Sequence, residues 1–178
     1  MYDNQQLALT IIHLMGSHEA FCMRYPADYA VFKATDYQEY PEEQRETRAS
    51  YDNTILYNDY VVSELINIFS EKESIVFYFS DHGMDVYETD PTYSGHSNSD
   101  PKSEIIATQI PFIVYTSPLF QQHFPNVVSR IKKSQKKAYR TDSLIYTLMD
   151  VAGISFEGNN EVEQKSLFNE KMTKKLVE

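Results

Sequence analysis

Ser74-Ile75-Val76-Phe77-Tyr78-Phe79 runs without a break into Ser80-Asp81-His82-Gly83. The run from Ile75 is β-branched and aromatic, too short for a helix, and apolar at successive positions, as a strand covered on both faces requires. The four residues after it place a carboxylate, an imidazole and a glycine at the carboxyl end of that strand. In open α/β sheets, functional groups collect at this end.

Working outward, Leu7-Ala8-Leu9-Thr10-Ile11-Ile12 reads as another buried strand, and it leads into His13-Leu14-Met15-Gly16-Ser17-His18. Residues 24 to 50, rich in Tyr, Pro, Glu and Asp, read as an irregular surface excursion. From Ser50 to Glu71 the pattern is helical. Ile55, Val62, Ile66 and Phe69 form one stripe, and Val61, Leu65 and Ile68 widen it. A polar loop spans Met84 to about Glu104. Gln109 to Tyr115 is a third strand, and Thr141 to Ala152 a helix stopped by Gly153. Strands alternating with helices predict an α/β layered sheet with mostly parallel strands. One domain is expected over residues 1–155, with 156–178 a polar tail.

The chain has 178 residues and a net charge of -10, which argues against a nucleic-acid partner. Its basic cluster, Arg130 to Arg140, reads as a solvated face. The 14 Tyr and 10 Phe, without Trp, suit half-buried surfaces that pair a ring with a polar tip. Cys22 is the single cysteine, so no intrachain disulfide forms. No stretch has the roughly 20 apolar residues of a membrane span, and the first residues lack the pattern of a signal peptide.

Four of the five histidines fall in loops expected at one sheet edge: His13 and His18 after the first strand, His82 after the second, and His96 fourteen residues on. Asp81 and His82 offer one anionic oxygen and one imidazole nitrogen, both good zinc donors, and Gly83 allows the backbone turn that brings them to one ion. The competing reading is an Asp that orients a His, or a polar strand end. His123 has no chemical neighbour in sequence and reads as surface.

The ordered set of motifs resembles bacterial phosphoethanolamine transferases of the alkaline phosphatase and sulfatase superfamily. His13-Leu14-Met15-Gly16-Ser17-His18 followed by Arg24-Tyr25-Pro26 is similar to their HxMGxH…RYP segment. Tyr51-Asp52-Asn53-Thr54-Ile55-Leu56-Tyr57-Asn58-Asp59-Tyr60 looks like their YDNSILYTDY helix start. Ser80-Asp81-His82-Gly83 resembles their SDHGE metal loop, and Gly95-His96 the later loop histidine. Ile110-Pro111-Phe112 and Thr141-Asp142-Ser143-Leu144 also have counterparts, so the resemblance covers residues 7 to 154.

The resemblance implies an alkaline phosphatase-like three-layer sandwich with a mostly parallel central sheet, present here in part. It implies Zn2+ held by Asp81 and His82, with His18 and His96 binding the substrate phosphate or a second zinc. All four side chains are then expected around one cation pocket. The implied reaction moves phosphoethanolamine from a phospholipid donor to lipid A, a lipopolysaccharide core or another glycan, through a phosphorylated threonine. In the family that threonine and a glutamate ligand precede the HxMGxH segment, so both are expected upstream of this chain. The membrane helices that place the family's catalytic domain at the periplasmic face of the inner membrane are expected there too. Met84 stands where the family has Glu, leaving Asp85 or Glu88 as substitutes. The alternatives are another sulfatase or phosphoglycerol transferase, or a remnant without catalysis that pairs with another chain.

Overall fold

The computed structural model describes residues 7–97, 99–155 and 160–169. The elements divide into two compact units. Ile12–Glu71 with Ile75–Tyr115 make one, and Met1–Ile11, Lys72–Ser74 and Thr116–Glu178 the other.

The first unit is organised on α1 (Glu42–Ser70), a 29-residue helix entered through Pro41 with Glu42 and Glu43 in its first turn. Those acids complement the positive end of the helix dipole. The helix begins eight residues ahead of the expected Ser50, because Glu42 to Arg48 are good helix formers without apolar periodicity. Its packed face is also different from the expected stripe. Gln44, Ala49, Ser50, Asn53, Thr54 and Val62 are buried, whereas Ile55 and Ile68 are exposed.

The irregular excursion explains that polar face. Short 3-10 turns at Phe21–Met23, Ala27–Tyr29 and Ala34–Asp36 wrap onto α1. Asn53 ties them down from inside the helix: its Oδ1 accepts the Phe32 N–H at 2.8 Å and its Nδ2 donates to the Phe32 carbonyl at 3.0 Å. Phe21 packs edge-on against Tyr51 at 5.2 Å, and Tyr29 against Tyr57 at 4.9 Å. Tyr37 donates to Asp52 at 2.5 Å. These tyrosines thus serve ring contacts on the helix, and the Tyr37 hydroxyl also finds a polar partner.

Strand β1 (Ile75–Phe79) forms where expected. A small hairpin follows, β2 (Asp85–Val86) against β3 (Ser94–Gly95), and then α2 (Pro101–Thr108), capped by Asp100, whose side chain accepts the Lys102 N–H at 2.7 Å. Asp-Pro at a helix entrance was a legible start signal inside the stretch read as loop. β4 (Phe112–Thr116) pairs with β1.

The expected mostly parallel sheet is not what the described residues form. Ser117, just past β4, donates its N–H to the Ser74 carbonyl just ahead of β1, and Phe79 at the end of β1 stacks on Phe112 at the start of β4. The two strands therefore run antiparallel, as do β2 and β3. Leu7 to Ile12 is not a strand. Leu7, Leu9, Ile11 and Ile12 are exposed, because a strand exists only with a ladder partner and none is present among the described residues.

The second unit holds α3 (Pro118–His123), α4 (Pro125–Ser134), α5 (Leu144–Val151) and α6 (Glu161–Lys165). α5 follows a 3-10 turn at Thr141–Ser143, matching the helix expected from Thr141 to Ala152. Residues 160–169, expected within a polar tail, instead pack: Val162, Leu167 and Phe168 are buried. Ser166 donates to Asp150 at 2.6 Å, and the Leu167 N–H reaches the Thr147 hydroxyl at 2.9 Å. The basic cluster is partly structural as well. Arg130 bonds Asp150 at 2.9 Å, and Lys137 donates to the carbonyls of Leu167 and Asn169. His123 is half exposed and pairs with Glu73.

Two outcomes follow from these contacts. Asn53→Ala leaves both Phe32 backbone groups without their partner inside the unit, and costs about 1–3 kcal/mol. Urea denaturation reads the cost, and hydrogen exchange rises first at residues 27–37. Tyr139, hydrogen-bonded to Thr147 at 2.6 Å, has its phenol pushed up from 10.0 to about 12, chiefly by burial. The folded state favours the neutral ring, so this stabilisation is complete below pH 10 and declines as pH rises toward 12. Thermal melting across that window should show the decline, and Tyr139→Phe should remove that component.

Candidate metal and phosphate site

The site grows from the carboxyl end of β1. Gly83 is held against the end of α2: its N–H donates to the Ala107 carbonyl at 2.7 Å, and a Cβ at this position would lie 2.1 Å from the Ile106 carbonyl oxygen. Glycine is required here by a close approach of two backbones, rather than by a left-handed turn.

That approach fixes His82. Its Nδ1 lies 2.8 Å from the Gly83 carbonyl oxygen. A carbonyl only accepts, so Nδ1 carries a proton, and in the neutral ring the lone pair then belongs to Nε2. A backbone carbonyl behind an imidazole is the arrangement that orients metal-binding histidines. Asp81 Oδ1 accepts the His82 N–H at 3.0 Å, and Oδ2 stands 3.9 Å from His82 Nε2. A tetrahedral zinc about 2.1 Å from each donor would hold them about 3.4 Å apart. The Asp81 side chain is 84% exposed and free to close that difference. The pair fits two positions of a zinc shell.

His96 is brought to the same place from the β2–β3 hairpin. Its ring lies over that of His82 with centroids 3.8 Å apart and planes inclined by 26°. Imidazole lone pairs lie in the ring plane, so two stacked rings do not offer them to one ion at ordinary bond lengths. His96 and His82 are therefore not placed to share one ion in this arrangement. Its Nδ1 is 3.4 Å from the Ser97 hydroxyl, and the Ser97 N–H donates to the Tyr93 hydroxyl at 2.7 Å.

A network that the sequence did not announce holds this hairpin. Asp85 is fully buried. Its carboxylate accepts the Glu88 N–H at 3.0 Å and the Thr89 N–H at 3.4 Å, and takes the Thr89 hydroxyl. Burial alone would raise its pKa, but the bonds from Thr89 and Glu88 outweigh burial and hold the carboxyl below its ordinary value. Glu88 accepts the Val86 N–H and pairs with Arg48 of α1, which also approaches Asp52 at 3.6 Å. Both candidates for the role of the family's Glu are thus engaged in holding the loop. For Glu88 this rests on a contact across forty residues.

His18 and His13 are exposed. The His18 N–H closes a tight turn onto the Met15 carbonyl at 3.2 Å, with Gly16 left-handed at φ 50°. The pairing of His82 with His96 is present, while the expected gathering of four side chains is not. Among the described residues, no three His, Cys, Asp or Glu side chains are placed to hold one ion. Beside the His13–His18 segment, Leu14, Met15, Met23, Arg24 and Asn58 line a cavity of about 290 Å³ that was not foreseen.

Residues 2–154 match the sulfatase family, and the chain belongs to it. Within that family it resembles phosphoethanolamine transferases. It is 36% identical over 155 residues to phosphoethanolamine transferase EptC of Escherichia coli K12, a match covering 84% of this chain and 26% of that protein. To CptA of Salmonella typhimurium it is 33% identical, over 83% of this chain and 26% of CptA. The chain thus spans about a quarter of the length of these relatives. The crystal structure of the C-terminal periplasmic domain of E. coli EptC superposes with a TM-score of 0.79 at 32% identity, covering 91% of this chain and 46% of that one. The zinc complex of that domain gives a TM-score of 0.76 at 31% identity, covering 89% of this chain and 44% of that one. The α/β character read from the sequence agrees with this likeness.

Arg48→Met should release the hairpin. The expected result is a weakened nuclear Overhauser contact between the His82 and His96 rings, faster hydrogen exchange over residues 85–97, and little change in helix content. Arg48→Lys, which keeps the charge on a different head group, should recover part of the contact.

Proposed function

We propose that this chain supplies the metal and phosphate loops of a zinc-dependent phosphoethanolamine transferase with an alkaline phosphatase-like sandwich built on a mostly parallel central sheet. The observation that carries the reading is the stack of His96 on His82, with His82 Nε2 and the Asp81 carboxylate converging beside it. Membership of the sulfatase family and the zinc complex of the EptC domain support it.

In this reading Asp81 and His82 hold the ion, and the Gly83 carbonyl keeps the His82 tautomer. Bound zinc would lower the cost of an alkoxide and neutralise charge on phosphoryl oxygens. His96, and His18 from its own turn, donate to the equatorial oxygens of the phosphoryl group, where positioning and electrostatics supply most of the catalysis. A threonine hydroxyl attacks phosphorus and gives up its proton, and the donor phospholipid departs as its diacylglycerol alcohol. A hydroxyl of lipid A, a lipopolysaccharide core sugar or another glycan then takes the phosphoethanolamine and regenerates the threonine. The domain works at the periplasmic face of the inner membrane. Among the described residues no helix is long and apolar enough to cross a membrane. Residues 1–155 make the sulfatase-like part, and residues beyond 155 add the α6 segment to it.

Zinc competition against a chromophoric chelator tests the metal assignment. The chain should bind zinc weakly, with only two donors in place. Asp81→Ala and His82→Ala should each reduce affinity about tenfold or more, and His96→Ala should do so less. Equal zinc retention by all four proteins would contradict the assignment.

A further inference from the structure

The cavity of about 290 Å³ beside the His13–His18 segment is built entirely from the first unit. Its floor is one face of α1, where Thr54, Asn58 and Val61 stand at i, i+4 and i+7. One wall is the turn at Leu14–Gly16, which the His18 N–H closes onto the Met15 carbonyl. The other wall is Met23 and Arg24, at the end of a 3-10 turn. There the Met23 N–H donates to the Ala20 carbonyl and the Arg24 N–H to the Phe21 carbonyl, both at 2.9 Å. Phe21 itself is buried against Tyr51 of α1. Local backbone bonds therefore fix both walls.

The lining combines an apolar surface with one charge. Leu14, Met15, Met23 and Val61 are apolar, and Met15 and Met23 remain 52% and 79% exposed. Unbranched thioether side chains adapt readily to alkyl groups. The polar groups of the floor are already engaged. The Thr54 hydroxyl donates to the Tyr51 carbonyl at 2.6 Å, and Asn58 Nδ2 to the Tyr78 hydroxyl at 2.6 Å. Arg24 is the single charged residue of the lining. Its Nε and Nη2 both donate to the Glu19 carbonyl at 3.2 Å, a neutral oxygen, and among the described residues no carboxylate pairs with it. In a chain of net charge -10, a guanidinium left without a carboxylate beside apolar walls favours an anion. The volume stands at the lower limit of small-molecule sites, about 300 Å³, and suits one chain rather than two. We infer that this cavity binds a single alkyl chain ending in an anionic group, with the chain against Met15, Met23 and Val61 and the anion on Arg24. The phosphate of a lysophospholipid and the carboxylate of a fatty acid share this chemistry. The inference goes beyond the proposed transfer reaction and does not depend on metal binding.

Carbon-13 spectra of the chain labelled at its methionine methyls test this, with ligands kept below their micelle concentrations. Decyl phosphate and decanoate should shift the Met15 and Met23 signals saturably, and the tighter of the two identifies the natural head group. Decyl maltoside, with the same tail and no charge, should bind about tenfold or more weakly, as loss of a charged hydrogen bond predicts. Inorganic phosphate alone should leave both signals in place. Arg24→Gln should abolish the preference for a charged head, and Arg24→Lys should retain part of it. Val61→Phe should fill the cavity and weaken all three decyl ligands, with circular dichroism unchanged. The Asp81→Ala, His82→Ala variant should bind normally, which separates this result from failure of the zinc assignment. Absence of saturable shifts, equal affinity for the charged and uncharged ligands, a charge preference that survives Arg24→Gln, or shifts shared by all six methionines would overturn the inference.

Discussion

The Arg48 guanidinium, set on the long helix and partly withdrawn from water, faces the carboxylates of Asp52 and Glu88. Burial by itself would lower its pKa, and the two acids reverse that, holding the group firmly charged. Through Glu88 this charge fixes the turn that begins at Val86, and through that turn the hairpin that carries His96. An ion pair of this kind gives little stability of its own once desolvation is counted. Its consequence is positional, because it sets where a loop of short strands can lie.

From that constraint the site follows in two converging lines. One line runs from α1 through Glu88 and the β2–β3 register to Gly95 and His96. The other runs from the end of α2 through the close contact of Ile106 with Gly83 to the His82 ring. They meet in a stack of two imidazoles, one backed by a carbonyl and flanked by a carboxylate. Each line consists of backbone contacts or polar bonds, which place the two rings while the exposed Asp81 carboxylate stays free to adjust.

Parts of this were legible from the amino acids. β1, β4 and the helix near Thr141 carry their own composition and caps, and Asp81-His82-Gly83 falls just past the end of β1 as its sequence position suggests. What escaped was whatever depends on a distant partner. Leu7 to Ile12 has the composition of a strand, but composition cannot supply a ladder neighbour. The antiparallel pairing of β1 with β4 was hidden because apolar runs covered on two faces do not encode direction. Asn53 lies outside the apolar stripe of the helix, yet it is the peg on which the tyrosine-rich excursion hangs. Val162, Leu167 and Phe168 sit among charged residues and still pack, because Thr147 and Asp150 bind the backbone and hydroxyl beside them.

The central claim is that the Gly83 carbonyl holds the His82 proton on Nδ1, leaving Nε2 as the nitrogen that faces a metal beside Asp81. Long-range proton–nitrogen correlation spectra of the histidine rings, taken before and after adding zinc, address it directly. The account predicts an Nδ1–H tautomer for His82 in the free chain, and a zinc-dependent shift confined to its Nε2. An Nε2–H tautomer, or a His82 ring that does not respond while zinc binds elsewhere, would contradict it.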